Sequence, residues 1–234
     1  MAETTKETSQ AGRPLAGLLF LLLAGLFVAA LVTCNLIANK FVTVDLGYKV
    51  FRVSAGVLPY PITFLITDIL SEIYGRKSTN AVVLSGFVAS MLVLLILYLG
   101  NAFPALAQSP VSDAQYNQVF QNSWRVIFSS MVAYLVAQFI DVRIFHFWKK
   151  RTRGRYLWLR NNFSTVFSQL MDTILVTTVI FAGLESFGYI TDLIWDGWLF
   201  KVSFAAFDTL LIYPIVFLFR KKFNLQPHQE ISLL

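Results

Sequence analysis

Residues 198–219 read WLFKVSFAAFDTLLIYPIVFLF, an apolar run long enough to cross about 30 Å of hydrocarbon that nevertheless carries Asp208 near its middle. Six such stretches occur in the chain, and Asp68, Asp141 and Asp172 lie well inside three of the others. A carboxylate in hydrocarbon is costly, so repeated intramembrane acids are expected to face a cavity, a partner or a substrate. Salt bridges or hydrogen bonds between helices are the structural alternative for any one of them.

The composition is that of a membrane domain. Of 234 residues, 56% are apolar and 14% are charged, a balance that would leave large apolar patches on a soluble globule. Lys and Arg cluster in predicted loops, where they report topology and contact with anionic lipid instead of a nucleic-acid partner. Cys34 is the single cysteine, so no internal disulfide can form.

The sequence predicts an all-α membrane protein, with six transmembrane helices in one bundle and one domain over residues 1–234. The predicted helices lie near residues 15–38, 57–73, 81–99, 123–148, 161–187 and 198–219. Alternate connections and the tails carry 13 of the 19 Lys and Arg, and the positive-inside rule makes that side cytoplasmic. Both termini are then cytoplasmic. The connection 101–122 has no Lys or Arg, as expected for the outer side.

Residues 41–55 join the first two predicted helices. Asp45-Leu46-Gly47 lies there between two runs rich in β-forming residues, which favours a short outer β-hairpin. An irregular loop is an equal alternative, because a lone hairpin is only marginally stable in water.

In the second predicted helix, Asp68 and Glu72 are four residues apart and share one face. Two carboxylates at that spacing repel each other, so either one is protonated or a cation lies between them. Arg143, a transported proton or a basic group of the substrate could supply that positive charge. Alternatively, Glu72 ends the helix at the interface and pairs with Arg76 in a structural role.

The fourth predicted helix has a stripe that mixes aromatic and polar side chains at helical spacing. Its members are Tyr134, Gln138, Asp141, Phe145 and Trp148. Such a face suits a flat, hydrogen-bonding ligand, since aromatic rings stack on it while an amide and a carboxylate bind its edge.

The fifth predicted helix places Asn161, Thr165, Ser168 and Asp172 on one face and Gln169 on the adjoining one. Lipid would not tolerate these side chains. Threonines often serve helix packing in membranes, whereas the larger polar groups of Asn161, Gln169 and Asp172 need several partners each. Those three residues are therefore the stronger functional candidates.

The sequence gives no indication of an enzyme. It has no plausible Ser-His-Asp arrangement, no Gly-rich phosphate loop and no cluster of metal ligands. We therefore expect no catalytic residue, metal or cofactor, and uphill transport would need an ion gradient or a separate energising module.

Residues 59–77, PYPITFLITDILSEIYGRK, closely resemble the most specific motif of the queuosine-precursor transporter family, also called the vitamin uptake transporter family. Segments similar to its other motifs occur in the family's order at residues 35–40, 137–142, 159–165, 168–169 and 172–173. The resemblance covers about residues 15–219.

This resemblance implies a multi-pass importer in the bacterial inner membrane for 7-deazaguanine bases, the precursors of the tRNA nucleoside queuosine. Its substrates would be the 7-cyano or 7-aminomethyl base, or queuine. A guanine-like edge offers a ring N–H and an amino group, which one carboxylate can accept together. The predicted substrate-binding residues are Asp68, Gln138, Asp141, Asn161, Gln169, Asp172, Glu72, Asn35, Asn162, Ser168 and Asp208.

Three interpretations stay open at this point. The chain is an autonomous secondary transporter, or a substrate-capture subunit that works with a separate ATP-driven module, or a structural membrane protein whose acids only join helices. The expected partners are a small-molecule base and membrane lipid, without nucleic acid, and either a homo-oligomer or an energising module is compatible with the sequence.

Overall fold

A computed structural model of the chain describes residues 5–6, 13–38, 40–120, 124–181, 183–226 and 229–232. Its elements in chain order are β1 (Thr5–Lys6), α1 (Arg13–Leu36), β2 (Phe41–Asp45), β3 (Val50–Ser54), α2 (Tyr60–Ile73), α3 (Gly75–Asn101), α4 (Asp113–Phe120), α5 (Trp124–Arg151), α6 (Leu157–Phe181), α7 (Phe187–Phe223) and β4 (Glu230–Ile231). A 3₁₀ turn, Ala55–Val57, precedes α2.

Six helical stretches in the described part of the chain are long and apolar enough to cross a membrane. They are Pro14–Leu36, Ala55–Ile73, Gly75–Asn101, Ser130–Arg151, Leu157–Phe181 and Phe187–Phe223. The predicted all-α membrane architecture is thereby confirmed, and the chain is a multi-pass membrane protein. The short helix α4 lies in the connection that has no Lys or Arg, and its residues are mostly exposed.

The helices follow the predicted order, but several ends differ. α3 begins at Gly75 instead of near residue 81, because Gly75 adopts a left-handed φ of +77° and joins α2 to α3 without a loop. α7 begins at Phe187 instead of near residue 198. Ser186 caps that helix, since its side-chain oxygen accepts a hydrogen bond from the Tyr189 N–H at 3.3 Å.

The hairpin between α1 and α2 forms, with β2 antiparallel to β3 and Asp45 opposite Val50. At its turn, the Gly47 N–H donates to Asp45 Oδ1 at 2.8 Å. Phe51 is fully buried, and its ring centroid lies 5.4 Å from that of Phe200 in α7. This contact with α7 explains how a hairpin that would be marginal by itself is held in place.

α2 is the most enclosed of the six spanning stretches that the structure describes. It packs against α1, α3, α5 and α7, while α6 packs against both α5 and α7. The polar faces of α2, α5, α6 and α7 therefore meet inside the bundle, whereas most residues of the α1 and α3 spans are not buried within the protein.

Candidate functional site

Asp68 of α2 and Asp141 of α5 meet inside the bundle, and each is only 1% exposed. The two carboxyl groups are neighbours, and the Ser168 hydroxyl of α6 donates to Asp141 Oδ1 at 2.9 Å. Two carboxylates side by side where water is excluded repel each other, and a proton or a ligand donor between them relieves that repulsion. Three helices thus converge on a buried carboxyl pair.

Several buried polar atoms on these helices have no hydrogen-bond partner among the described residues. They include Asp68 Oδ1, Gln138 Oε1 and Nε2, Asn161 Oδ1 and Gln169 Oε1. Gln138 lies one turn from Asp141 on α5, and Gln169 lies on α6 beside Ser168. Buried polar groups in proteins are nearly always paired, so these atoms are open to a ligand or to water.

A cavity with about 210 Å³ of empty space lies between α2, α6 and α7. It is lined by Tyr60, Pro61, Phe64, Thr165, Gln169, Lys201, Ala205 and Asp208. The rings of Tyr60 and Phe64, with centroids 5.5 Å apart, form an aromatic wall. That figure includes space open to solvent, and the volume within reach of a water-sized molecule is only about 10 Å³, enough for about one water, so a bicyclic base requires the cavity to widen substantially.

A buried ion pair between Asp172 of α6 and Lys201 of α7 lies beside this cavity. Lys201 Nζ is 2.5 Å from Asp172 Oδ2 and also donates to Thr173 Oγ1 at 3.2 Å. The Tyr60 hydroxyl donates to Asp172 Oδ1 at 3.1 Å. Protein donors therefore hold both oxygens of Asp172, which the sequence predicted as a ligand-binding group.

Glu72 lies in a separate network of ion pairs that joins five elements, α2, α5, α6, α7 and β4. Arg160 Nη2 is 2.6 Å from Glu72 Oε1, and Arg220 contacts the same oxygen. Lys149 Nζ lies 3.8 Å from Glu72 Oε2 and 2.6 Å from Glu230 Oε1. Glu72 is fully buried, so these cations compensate its charge where water is excluded.

The sequence suggested two possible cationic partners for Glu72. One was Arg76, and the other was Arg143, placed between Glu72 and Asp68. The structure pairs Glu72 with Arg160 instead, because α6 starts earlier than predicted and carries Arg160 into the bundle. Arg143 is exposed on α5. The geometry thus supports the structural alternative for Glu72.

The three predicted asparagines lie apart from the carboxyl pair. Asn161 Nδ2 and Asn162 Nδ2 lie 3.5 and 2.5 Å from Thr209 Oγ1, which links α6 to α7. Asn35 faces a second, mainly apolar cavity between α1, α3, α4 and α5, where its Oδ1 accepts from the Ser130 hydroxyl at 3.5 Å. Asn35 is therefore placed in another cavity than Gln169 and Asp208.

Residues 54–215 match the family described as "Putative vitamin uptake transporter". The chain belongs to this family. Among its relatives, the "Probable queuosine precursor transporter" of Bacillus subtilis (strain 168) is 34% identical over 130 residues, or 55% of this chain and 56% of that protein. The "Queuosine precursor transporter" of Escherichia coli (strain K12) is 27% identical over 143 residues, or 58% of this chain and 59% of that protein.

The segments of this chain that match cover just over half the length of each of these two relatives. No solved structure matches the chain. Within the chain, the family match includes every predicted binding residue except Asn35, and it also includes Tyr60 and Lys201.

Sequence reasoning missed Lys201 and Tyr60 as parts of this site. The available signal was that Lys201 is a cation within an apolar stretch, two turns before Asp208 on the same helix face. Arg160 and Lys149 were interpreted as loop cations, but α5 and α6 extend over them and bury both. Helix ends are the least readable part of such a sequence.

Proposed function

We propose that this chain imports queuosine precursors, 7-deazaguanine bases, across the bacterial inner membrane. The observation that carries the proposal is the set of unpaired buried polar atoms on α2, α5 and α6, of which the Gln169 amide also lines an aromatic-walled cavity. Asp68, Gln138 and Gln169 provide those atoms, and the names of the two relatives supply the substrate class.

The chemistry of the base fits these groups. Its pyrimidine-like edge presents a ring N–H and an amino group as donors, and a carbonyl oxygen as acceptor. Asp68 accepts from the two donors, and the Gln138 amide donates to the carbonyl oxygen. Stacking on Tyr60 and Phe64 adds on the order of 1–3 kcal/mol.

The remaining predicted residues take supporting roles in this proposal. Asp141, which accepts from the Ser168 hydroxyl, lies beside Asp68 and fixes its position, and Asp208 lines the polar edge of the cavity. Asn161 and Asn162 join α6 to α7 at Thr209. The proposal places both termini in the cytoplasm, and the parallel pairing of β1 with β4 supports placing both on one side.

Binding to the purified chain tests the proposal. We expect the 7-cyano and 7-aminomethyl forms of 7-deazaguanine to bind, and 7-deazaadenine, which lacks the ring N–H donor, to bind about ten- to a hundredfold more weakly. Equal affinity for the guanine and adenine forms, or no binding of either, would contradict it.

A substrate-capture subunit for a separate ATP-driven module is the second candidate, because the described residues supply no phosphate-binding loop of their own. Liposomes that contain only this chain separate the two candidates. Counterflow of labelled base into preloaded vesicles is expected for an autonomous transporter, whereas binding without counterflow favours the capture subunit.

A further inference from the structure

The ion pair between Asp172 and Lys201 is placed where a ligand of the cavity would meet it. Lys201 itself lines the cavity, and its Nζ lies 5.1 Å from the centre of the Tyr60 ring. Asp172 is 4% exposed and Lys201 8% exposed. An ammonium group with a carboxylate on one side and an aromatic face on another occupies the kind of position that a ligand cation would take.

Stability alone gives a weak account of this pair. Removing two charges from water has a desolvation penalty that their attraction often fails to offset, and apolar residues of similar size are frequently as stable. The pair also spans two helices, α6 and α7, that both line the cavity. It is therefore suited to a contact that breaks when the cavity is filled.

The cavity offers Lys201 an alternative acceptor. Asp208 lies two turns further along α7 on the same face and lines the same cavity. Because Tyr60 holds Asp172 Oδ1 through its hydroxyl, Asp172 keeps its position when Lys201 leaves Oδ2. The displaced Lys201 ammonium then stays close to the Asp208 carboxyl group. The cavity widens where the Lys201 side chain had filled it.

From this geometry we propose that Lys201 is a displaceable stand-in for a cationic group of the substrate. A base that carries a protonated alkylamine places its ammonium on Asp172 Oδ2 and moves Lys201 towards Asp208. A neutral base leaves the pair intact. This inference rests on the proposed function and adds to it a residue that sets the preference between cationic and neutral bases.

Lys201→Met tests the inference, because it removes the ammonium and keeps an unbranched side chain. We expect its affinity for 7-aminomethyl-7-deazaguanine to rise about tenfold or more, since the ligand no longer competes with Lys201 for Asp172. Affinity for the neutral 7-cyano form is expected to stay within about threefold of the parent. Lys201→Arg keeps a cation and is expected to keep the parental preference.

Two further variants secure the comparison. Lys201→Gln keeps an amide donor for Asp172, so it carries the same expectation if Lys201→Met does not fold. Lys49→Met breaks the exposed pair between Lys49 and Asp196 and is the matched control, with both affinities unchanged.

The outcomes separate the two claims. Equal changes for the two bases, or an unchanged preference in both neutral variants, would overturn the role of Lys201 and leave the proposed function in place. A parent chain that binds neither base overturns the proposed function, and the role of Lys201 with it.

Discussion

Asp68 provides the clearest test at the scale of single residues, because its neighbours separate binding from stability. Asp68→Asn keeps the shape and removes an acceptor, so base affinity is expected to fall about ten- to a hundredfold. Among the described residues Asp68 forms no ion pair, and Arg160, the cation that acts on it, is already paired with Glu72, so the substitution leaves no orphan charge. Binding and thermal midpoint measured in one detergent check this.

Glu72→Gln is the comparator for Asp68→Asn. It is expected to lower stability and leave base binding largely intact, the reverse of Asp68→Asn. It removes the charge that Arg160, Arg220 and Lys149 share, which leaves buried cations uncompensated and lowers stability by about 3–5 kcal/mol. A normal thermal midpoint in Glu72→Gln, or a lowered midpoint with normal binding in Asp68→Asn, would reverse the two roles.

The residue types in the sequence predicted which polar side chains of the candidate site would be buried. They could not predict which side chains would pair with each other. Asp68, Asp141 and Gln138 follow from the rule that lipid rejects polar side chains, and all three are buried here. Whether an acid pairs with a cation depends on which helix faces which. The pairs that joined Asp172 to Lys201 and Glu72 to Arg160 are set by tertiary packing and leave only weak traces in sequence spacing.

At the scale of elements, the hairpin of β2 and β3 depends on its contact with α7. Phe51→Ala deletes a fully buried ring that packs on Phe200, with an expected loss of about 3–5 kcal/mol. Val50→Ala, next to it in the strand and 54% exposed, is the control. Limited proteolysis within 41–55 should speed up in the first variant only, and equal cleavage of both would show that the hairpin does not need α7.

Element number and type were predictable because apolar length is a strong signal, whereas element ends were not. α3 starts at Gly75 because of a backbone conformation, and α7 starts at Phe187 because of a cap at Ser186. Neither feature changes the hydropathy of the segment. The choice between hairpin and loop also stayed open in the sequence, since the burial of Phe51 depends on a residue far along the chain.

At the scale of the whole molecule, the membrane orientation remains a prediction, and the structure changes which cations support it. Lys149 and Arg160 counted towards the cytoplasmic cations but are buried in ion pairs, so they report packing. The other cations on that side still outnumber those of the connection 101–122, which has none.

Cysteine labelling checks this orientation with little background labelling of the native cysteine, because Cys34 is only 5% exposed. We expect an impermeant maleimide to label Ser112→Cys in intact cells and Gln226→Cys only after permeabilisation. Both positions are exposed on the protein. Labelling of Gln226→Cys in intact cells would overturn the predicted topology.

The carboxyl-terminal segment contacts helix ends on one side of the bundle. Glu230 accepts from Lys149 of α5 at 2.6 Å, and Ile231 is fully buried against the main core. Glu230→Gln is expected to lower stability by about 1–3 kcal/mol, because Lys149 loses a close charged partner. Among the described residues, Lys149 then keeps two backbone carbonyls and the more distant Glu72 carboxylate. Glu185→Gln, at an exposed position, is the matched control. Thermal midpoints of the two variants in one detergent decide the matter, and equal midpoints would mean that the segment lies against the bundle without stabilising it.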